Sequence, residues 1–359
     1  MKVAELRRQR LACHGIASTR GASPAEVVRG LCAMQAQDYA GALWAVGLRL
    51  PGSTLHDVER AVAEHTIVRT WPLRGTLHFV AAEDVRWLMT LLAPRVITSS
   101  SARQAARGLD AATFRKVEKL LVRALEGGKS VTRAAVRVLL ERAKIRTDHN
   151  RLYHCLWRLA MEQVLCCGAP EGKEQTFVLL DEHVPMSEPL QPEEALVRLA
   201  VRYFAGHGPA SEQDLMRWAG LSGAEAKRAI AAAGQALHPH KLAHKTYYVS
   251  ANSPPPKAAR TIALLPAFDE YILGYKERDA VVTAQHAKRV TPGGGVFRAT
   301  IIENGQVIGT WKTSATKRQV RITAQPIAPL TAATRRALER AAQRYGEFLG
   351  KPAAVALHG

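Results

Sequence analysis

The sequence is poor in cysteine and has no long apolar run. Its five cysteines are an odd number, and none of them forms a Cys-x-x-Cys pair. This pattern argues against a disulfide framework and a zinc site, and it is typical of reduced thiols in a cytoplasm. No apolar run reaches the length of a transmembrane helix, and the first eight residues read as a polar amphipathic helix, not as a signal peptide. We therefore expect a soluble cytoplasmic protein without a metal or another cofactor.

Acidic residues are also scarce. The chain has 50 Lys and Arg residues against 31 Asp and Glu residues, a net charge of 50 − 31 = +19, with a pI near 10.1. About half of this excess lies between Arg95 and Arg146, where thirteen basic residues face four acids. A polyanion is the expected partner, and nucleic acid is the commonest one. A generally basic surface is the alternative. A membrane surface is disfavoured, because the basic residues are not paired with an exposed apolar face on one helix.

The 359 residues suffice for two to four modules, and one order of elements recurs three times. Each copy has helices followed by a pair of short β-prone runs, at a spacing of roughly 70–80 residues. Helices followed by a hairpin are the layout of a winged helix. We predict an α+β protein with three tandem winged-helix (helix-turn-helix) units at 1–95, 96–186 and 187–256. Its predicted helices are 24–34, 54–65, 114–125, 131–141, 149–162, 194–205, 211–214 onward and 223–233, and its predicted hairpins are 67–80, 164–180 and 237–249.

A different texture follows the proline-rich linker Ser253–Pro256. Short apolar runs alternate with polar residues, and Asn304-Gly305 between two of them is typical of a type I′ hairpin turn. A final amphipathic helix is predicted over residues 331–349. We interpret residues 257–359 as a small antiparallel sheet or β-barrel-like domain closed by this helix.

Gln35 and Gln37 are the polar pair on which the functional prediction depends. They lie at the end of an apolar helical run, and positions i and i+2 of a continuous helix point about 200° apart. In an extended segment the two amides would instead lie on the same side. A second amphipathic run begins after Gly41, so a break is expected here. The alternative is a polar helix end with two solvated side chains.

Three other groups of residues are candidate sites. Asp269-Glu270 is either a catalytic carboxylate pair or, as we favour, part of a structural turn at a domain junction. His238, His240 and His244 have ligand-like spacing, but no Cys or acid completes a metal site, so a basic hairpin is favoured. Gly293–Gly295 lacks the Lys-Ser/Thr and the helix of a phosphate-binding loop and reads as a flexible turn.

Four motifs together give the sequence a resemblance to a known family. They lie in the same order along nearly the whole chain: Met34-Gln-Ala-Gln-Asp38, Arg69-Thr-Trp-Pro-Leu-Arg-Gly-Thr-Leu-His78, Leu264-Leu-Pro-Ala-Phe-Asp-Glu-Tyr-Ile-Leu-Gly274 with Arg278 behind it, and Gly305-Gln-Val-Ile-Gly-Thr-Trp311. The chain resembles the winged-helix DNA glycosylases of the azinomycin-resistance (AlkZ) and YcaQ group. That family has Gln-x-Gln and Gln-x-Asp variants, and Gln35-Ala-Gln37 looks like the first. Asp38 stands one place too late for the second.

The resemblance implies hydrolytic removal of alkylated bases, including bulky adducts and interstrand crosslinks, from double-stranded DNA. Such an enzyme serves DNA repair or self-resistance to a genotoxin, and we expect a monomer that associates with the nucleoid. Gln35 and Gln37 are the predicted catalytic residues. The predicted DNA contacts are Arg74, Thr76, His78, Arg133, Arg137 and Arg151. For His78 the alternative is a strand residue satisfied by neighbouring backbone.

Two further interpretations stay open at this point. A winged-helix transcriptional regulator would present a base-reading helix and form a dimer, but no heptad or other dimer element is apparent. A DNA-architectural protein would tolerate loss of the glutamine pair. Three unlike units in one chain suit a monomer that wraps DNA.

Overall fold

The structure is a computed structural model, and it describes residues 1–256 and 259–358. The chain begins with helices that are separated by short turns and one very short strand. These first elements are α1 (Val3–Cys13), α2 (Pro24–Gly30), β1 (Met34–Gln35), α3 (Tyr39–Arg49) and α4 (Leu55–Ala63). The second predicted helix, 54–65, is thus confirmed almost to its ends.

Two blocks of helices and hairpins follow. The first of them contains a long helix that the periodicity did not predict. The first block contains β2 (Ile67–Leu73), β3 (Thr76–Ala81), α5 (Ala82–Ala105), α6 (Ala111–Leu125), β4 (Val131–Thr132), α7 (Arg133–Arg142), α8 (Arg151–Met161), β5 (Leu165–Cys167), β6 (Thr176–Leu179) and α9 (Leu180–His183). The second contains α10 (Pro192–His207), α11 (Glu212–Ala219), α12 (Gly223–Ala233), β7 (Leu237–Leu242) and β8 (Lys245–Ser250).

The remaining elements form the predicted C-terminal α/β region. They are β9 (Ile262–Leu265), α13 (Glu270–Leu273), α14 (Ala287–Val290), β10 (Thr300–Glu303), β11 (Gln306–Ala315), β12 (Val320–Pro326), α15 (Ala332–Phe348) and β13 (Ala353–Leu357). Asn304 and Gly305 have φ angles of +49° and +81° between β10 and β11, so the predicted tight turn is confirmed. The α+β fold class is confirmed as well.

Two compact units divide the described residues. Residues 1–58 with those from 196 onward form unit 1, and residues 59–195 form unit 2. The divisions fall within α4 and α10, whereas the sequence-based boundary between 95 and 96 falls within α5. The reason is that α5 runs unbroken for 24 residues, with Pro94 inside it.

Unit 2 is organised around the hairpins that the sequence predicts. Strands β2 and β3 pair antiparallel, and the order across the sheet continues from β3 and β2 to β5, β6 and β4. All seven residues of β2 are buried. Arg74 and Gly75 turn the first hairpin with φ angles of +52° and +71°, a conformation that suits glycine and that Arg74 adopts at some cost.

The C-terminal sheet of unit 1 is open, and the predicted barrel-like closure is wrong. Its strand order is β13–β12–β11–β10–β9, so β13 and β9 are its edges. All its pairs are antiparallel except β12 with β13, which are parallel. A parallel pair needs a crossover connection, and α15 supplies it. The sequence signalled this helix, but not the strand that follows it.

Helix α15 also ties the C-terminal sheet to α3, the helix that follows the glutamine pair. The ring of Trp44 in α3 lies 4.9 Å from that of Tyr345 and 5.2 Å from that of Phe348. Gly47 leaves room for this contact, because a Cβ there would lie 2.3 Å from the Phe348 ring. Trp44 Nε1 donates to the Leu264 carbonyl of β9 at 2.7 Å. Helix α3 therefore rests on the C-terminal region.

The helices of the described part are too short or too polar to cross a membrane.

Candidate active site

The chain breaks its helical path just before the glutamine pair. Helix α2 ends at Gly30, four residues earlier than predicted, because Cys32 takes a left-handed φ of +66°. Met34 and Gln35 are then extended, and α3 begins at Tyr39. The predicted break is confirmed, and the alternative of a polar end on a continuous helix is wrong.

The two amides lie on one side of this segment and bond to each other. Gln37 N donates to Gln35 Oε1 at 3.1 Å, and Gln35 Nε2 donates to Gln37 Oε1 at 2.6 Å. A backbone N–H can only donate, so the Gln35 atom that it meets must be the oxygen. The other end of Gln35 is then the NH2 group, and the Gln37 atom facing it must be an oxygen. The backbone thus fixes the orientation of both amides.

The pair divides into a buried and an exposed member. Gln35 is 6% exposed, whereas Gln37 is exposed to solvent. Gln35 uses its carbonyl and its NH2 group on Gln37. A carbonyl oxygen has two lone pairs, so Gln37 Oε1 keeps acceptor capacity beside the bond from Gln35. Gln37 is therefore the member that can bind a water molecule or a substrate, and Gln35 orients it.

Glu270 supports the pair from behind. Its Oε1 accepts the backbone N–H of Gln35 at 2.9 Å, and its Oε2 accepts Trp218 Nε1 at 3.0 Å. The Glu270 side chain is 1% exposed. An unpaired N–H at such a buried place would cost about 1–3 kcal/mol. Sequence reasoning missed this contact, because 235 residues separate its partners.

Asp269, next to Glu270, fastens the same turn to α3. Arg49 donates to both of its carboxylate oxygens, at 2.8 and 2.7 Å, and both side chains are fully buried. Asp269 Oδ1 also accepts the Tyr271 N–H and caps α13. Phe268 precedes it with a strained φ of +61°. This burial favours the structural alternative for Asp269-Glu270 over a carboxylate pair that contacts substrate.

Asp38 also has a structural task. Its Oδ1 accepts the Gly41 N–H at 3.1 Å and caps the N-terminus of α3. Capping residues of this type stabilise a helix by about 1 kcal/mol. Asp38, the acid that follows the glutamine pair, therefore has a structural role as the N-cap of α3.

The predicted DNA contacts on the first hairpin differ in their exposure. Arg74 is exposed at the turn, and Thr76 is partly buried with its hydroxyl bonded to the Leu73 carbonyl at 3.1 Å. His78 is fully buried, with Nδ1 2.8 Å from the Thr76 carbonyl. This geometry favours the alternative for His78, a strand residue satisfied by backbone, over a contact with DNA.

The three predicted arginines of helices α7 and α8 also differ. Arg133 and Arg137 are one turn apart in α7, and the α7 surface around them is open to solvent. Arg151 is 9% exposed, and its guanidinium donates to the Arg146 and Arg107 carbonyls. Arg151 thereby joins the loop before α8 to the loop after α5. The geometry therefore does not favour a DNA contact for Arg151.

Metal and thiol chemistry find no support among the described residues. They contain no group of three or more His, Cys, Asp or Glu side chains able to hold a metal ion. His238 and His240 lie on strand β7 of a two-stranded hairpin with Lys241. All five cysteines are buried, and burial raises the pKa of Cys155 to about 11 and that of Cys167 to about 12. Such thiols are inert as nucleophiles at neutral pH.

Comparisons with known proteins identify the family and agree with the fold. The model of a family described as DNA glycosylase AlkZ-like matches residues 28–348. The chain belongs to this family and is a DNA glycosylase. The matched region contains both glutamines and also Trp218, Glu270 and most of the C-terminal sheet.

Two relatives come from Streptomyces sahachiroi. One is named an interstrand DNA cross-link repair glycosylase and is 27% identical over 307 residues, which are 81% of this chain and 82% of that protein. The other is the solved structure of the DNA glycosylase AlkZ. It superposes with a TM-score of 0.81 at 22% identity, over 99% of this chain and 100% of that one. At this identity the superposition establishes a shared fold.

Proposed function

We propose that this glycosylase hydrolyses the N-glycosidic bond of N7-alkylated purines in double-stranded DNA, with Gln35 and Gln37 as its catalytic residues. The substrates would include bulky and interstrand-crosslinked purines, as the name of the curated relative suggests. The observation that carries the proposal is the oriented amide pair, with Gln37 exposed. The enzyme would act in the cytoplasm on the nucleoid, in DNA repair or in self-resistance to a genotoxin.

The reaction makes modest demands on the protein. Alkylation at N7 leaves the purine cationic, so the base departs without a strong acid. The C1′–N9 bond breaks, and its electron pair goes to the purine and neutralises it. A water oxygen bonds to C1′, and the surplus proton passes to solvent. The remaining barrier is an oxocarbenium-like sugar that needs a placed water and nearby negative partial charge.

A pair of amides meets this demand. Gln37 Oε1 would hold the water and lay its negative partial charge against the sugar, while Gln35 fixes the orientation of Gln37. A neutral amide does this without adding a full negative charge close to the DNA phosphates. It is also a weaker base than a carboxylate. We therefore expect excision to be limited to bases that are good leaving groups, in keeping with the Gln-x-Gln variant.

DNA binding is proposed for exposed basic and polar residues of unit 2. Arg133 and Arg137 on α7, with Arg74 and Thr76 on the first hairpin, would contact phosphates. Phosphate contacts give affinity without sequence preference and make it fall with salt. Helices are followed by a hairpin three times along the chain, at β2–β3, β5–β6 and β7–β8, and this order supports three winged-helix units. The protein would act as a monomer.

The non-enzymatic regulator is the competing function, and one experiment separates the two. The protein is incubated with a duplex that contains one N7-methylguanine, and abasic sites are revealed by alkali. The glycosylase predicts strand cleavage at the lesion, whereas an unmodified duplex stays intact. Binding without cleavage, with a salt-insensitive preference for one palindrome, would favour the regulator.

The crosslink substrate needs its own test. A duplex carrying an N7-guanine interstrand crosslink is incubated with the protein and separated on a denaturing gel. Unhooking converts the slow crosslinked band into single strands. Cleavage at N7-methylguanine without unhooking would restrict the substrates to monoadducts.

A further inference from the structure

The backbone under the glutamine pair is held by a buried carboxylate from far along the chain. Glu270 Oε1 accepts the N–H of Gln35 at 2.9 Å. Gln35 in turn accepts the N–H of Gln37 and donates to its side chain. An unbroken series of hydrogen bonds therefore runs from Glu270 through Gln35 to the exposed amide of Gln37. A displacement of Glu270 would reach the amide through this series.

Glu270 is itself held on its other oxygen. Trp218 Nε1, from α11, donates to Oε2 at 3.0 Å, and His207 Nε2, from the end of α10, lies 3.5 Å from the same oxygen. The His207 ring is packed tightly, because a Cβ at Gly274 would lie 2.6 Å from its Cδ2. Both Trp218 and His207 are buried. The carboxylate thus accepts hydrogen bonds from the indole and from the Gln35 backbone, and the imidazole lies beside it.

His207 is held by a different contact. Its Nδ1 lies 3.2 Å from the Tyr203 carbonyl, which only accepts, so Nδ1 is the donor. Its Nε2 lies beside Glu270 Oε2 without a hydrogen bond between them. The hydrogen bonds that hold the carboxylate are thus those from the Gln35 backbone and from Trp218.

We infer that Glu270 is a positioning residue, which fixes the position of the Gln37 amide by holding the Gln35 backbone. Trp218 and His207 in turn hold the Glu270 side chain in place. The inference rests on the proposed catalytic role of the two glutamines. Reactive groups must be placed within a fraction of an ångström, and a shift of 1 Å can lower a rate by about 10²-fold. The sequence carries no sign of this role, since Gln35, Trp218 and Glu270 lie far apart in the chain.

Two conservative variants of Glu270 test the inference. Glu270→Asp keeps the charge but shortens the side chain by one methylene, which draws the acceptor away from Gln35. Glu270→Gln keeps the length but has one acceptor oxygen for two donors, the Gln35 N–H and Trp218 Nε1. It is therefore combined with Trp218→Phe, which removes the second donor and leaves the oxygen for Gln35. Single-turnover excision of N7-methylguanine at saturating enzyme is measured for Glu270→Asp, Trp218→Phe and Trp218→Phe/Glu270→Gln. We expect the Asp variant to be slower than wild type by on the order of 10–10²-fold and the double variant to stay near Trp218→Phe, with DNA affinity unchanged in all three.

A matched control separates positioning from general loosening. Asp84 is a buried carboxylate of unit 2, and its Oδ1 accepts Trp87 Nε1 at 2.9 Å, much as Glu270 accepts Trp218 Nε1. Asp84→Ala should lower the melting temperature and leave the excision rate at saturation unchanged. Hydrogen exchange of the peptide covering residues 31–38 should rise in Glu270→Asp and stay low in Asp84→Ala.

The outcomes distinguish this inference from the proposed function. A normal rate in Glu270→Asp, a double variant that is slower than Trp218→Phe, or an equal loss in Asp84→Ala would each overturn the positioning role. Gln37→Ala is measured in the same series. An unchanged rate in Gln37→Ala would remove the catalytic assignment itself, whereas a slow Gln37→Ala with a normal Glu270→Asp would overturn only the role of Glu270.

Discussion

The glutamine segment, residues 31–38, and the basic segment, residues 95–146, are built in opposite ways. Gln35 is buried and its amides and backbone are fixed by internal hydrogen bonds. In the basic segment, Arg133 and Arg137 lie along one helix with access to solvent. Placement of a reacting water needs rigidity, whereas binding of DNA phosphates needs charge that solvent and DNA can reach. With the proposed roles of these residues, the chain would separate catalysis from affinity.

The largest expected effect concerns the buried ion pair between Arg49 and Asp269, next to the Glu270 that holds the glutamine segment. Asp269→Asn breaks the buried pair with Arg49 and leaves a guanidinium that is 1% exposed without its countercharge. Loss of one partner of a buried pair costs about 3–5 kcal/mol. Denaturant unfolding measures this loss. As a control, Glu277→Gln breaks the partly exposed pair with Lys245 in the same unit and should cost about 0–1 kcal/mol. Equal losses of unfolding free energy in the two variants would contradict a special structural role for the buried pair.

The next effect isolates catalysis. Gln37→Ala removes the exposed amide and should lower single-turnover excision by about 10²–10³-fold, the usual scale for one preorganised polar group. Gln35→Ala should act similarly, because Gln37 then loses its orientation. The double variant should fall short of the product of the two losses, since both act on one water. Unaltered melting temperatures show that folding is intact. Gln37→Asp tests the family's other motif at this position.

A third change isolates affinity. Arg133→Glu with Arg137→Glu reverses two charges on α7 and should weaken binding of every DNA sequence alike. The slope of log K against log salt should become shallower by roughly 0.9 for each phosphate that the protein no longer neutralises. Fluorescence anisotropy over a salt series measures both quantities. As a control, Arg60→Glu reverses an exposed charge outside the basic segment and should change the slope less. An equal change in slope would indicate that the whole surface contributes to DNA affinity, and not the basic segment in particular.

The smallest effect is a pH dependence of unit 2. Burial and the stacked His183, whose ring lies 4.1 Å away, lower the pKa of His65 to about 4. The unfolded chain binds this proton near pH 6.5, so stability is full above that pH and falls as the pH drops towards 4. His65→Asn tolerates the φ of +55° and should flatten the dependence. Melting temperatures of both proteins between pH 7 and 4.5 test this; parallel curves would contradict it.

Local patterns predicted much of this molecule. The Asn304-Gly305 turn and the helical periods predicted most elements to within a few residues, because each depends on neighbours in the chain. The same reasoning placed both glutamines on one side of an extended break. The early end of α2 was missed, because nothing nearby signals that Cys32 turns left-handed.

Contacts between distant segments could not be predicted. The bond from Glu270 to Gln35 and the parallel pairing of β13 depend on the complete fold, and neither has a local signal. The burial of single side chains could not be predicted either. His78 and Arg151 are predicted DNA contacts, yet both are buried; His78 Nδ1 lies beside the Thr76 carbonyl, and Arg151 donates to the Arg146 carbonyl.

One titration tests the separation of catalysis from affinity most directly. Single-turnover excision of N7-methylguanine is followed against enzyme concentration for the wild type, Gln37→Ala, the Arg133→Glu/Arg137→Glu variant and the three changes combined. We predict that the glutamine change lowers only the plateau rate, that the arginine changes raise only the half-saturating concentration, and that the combined variant shows both changes independently. A plateau that is unchanged in Gln37→Ala, or that falls with the arginine changes, would contradict the account.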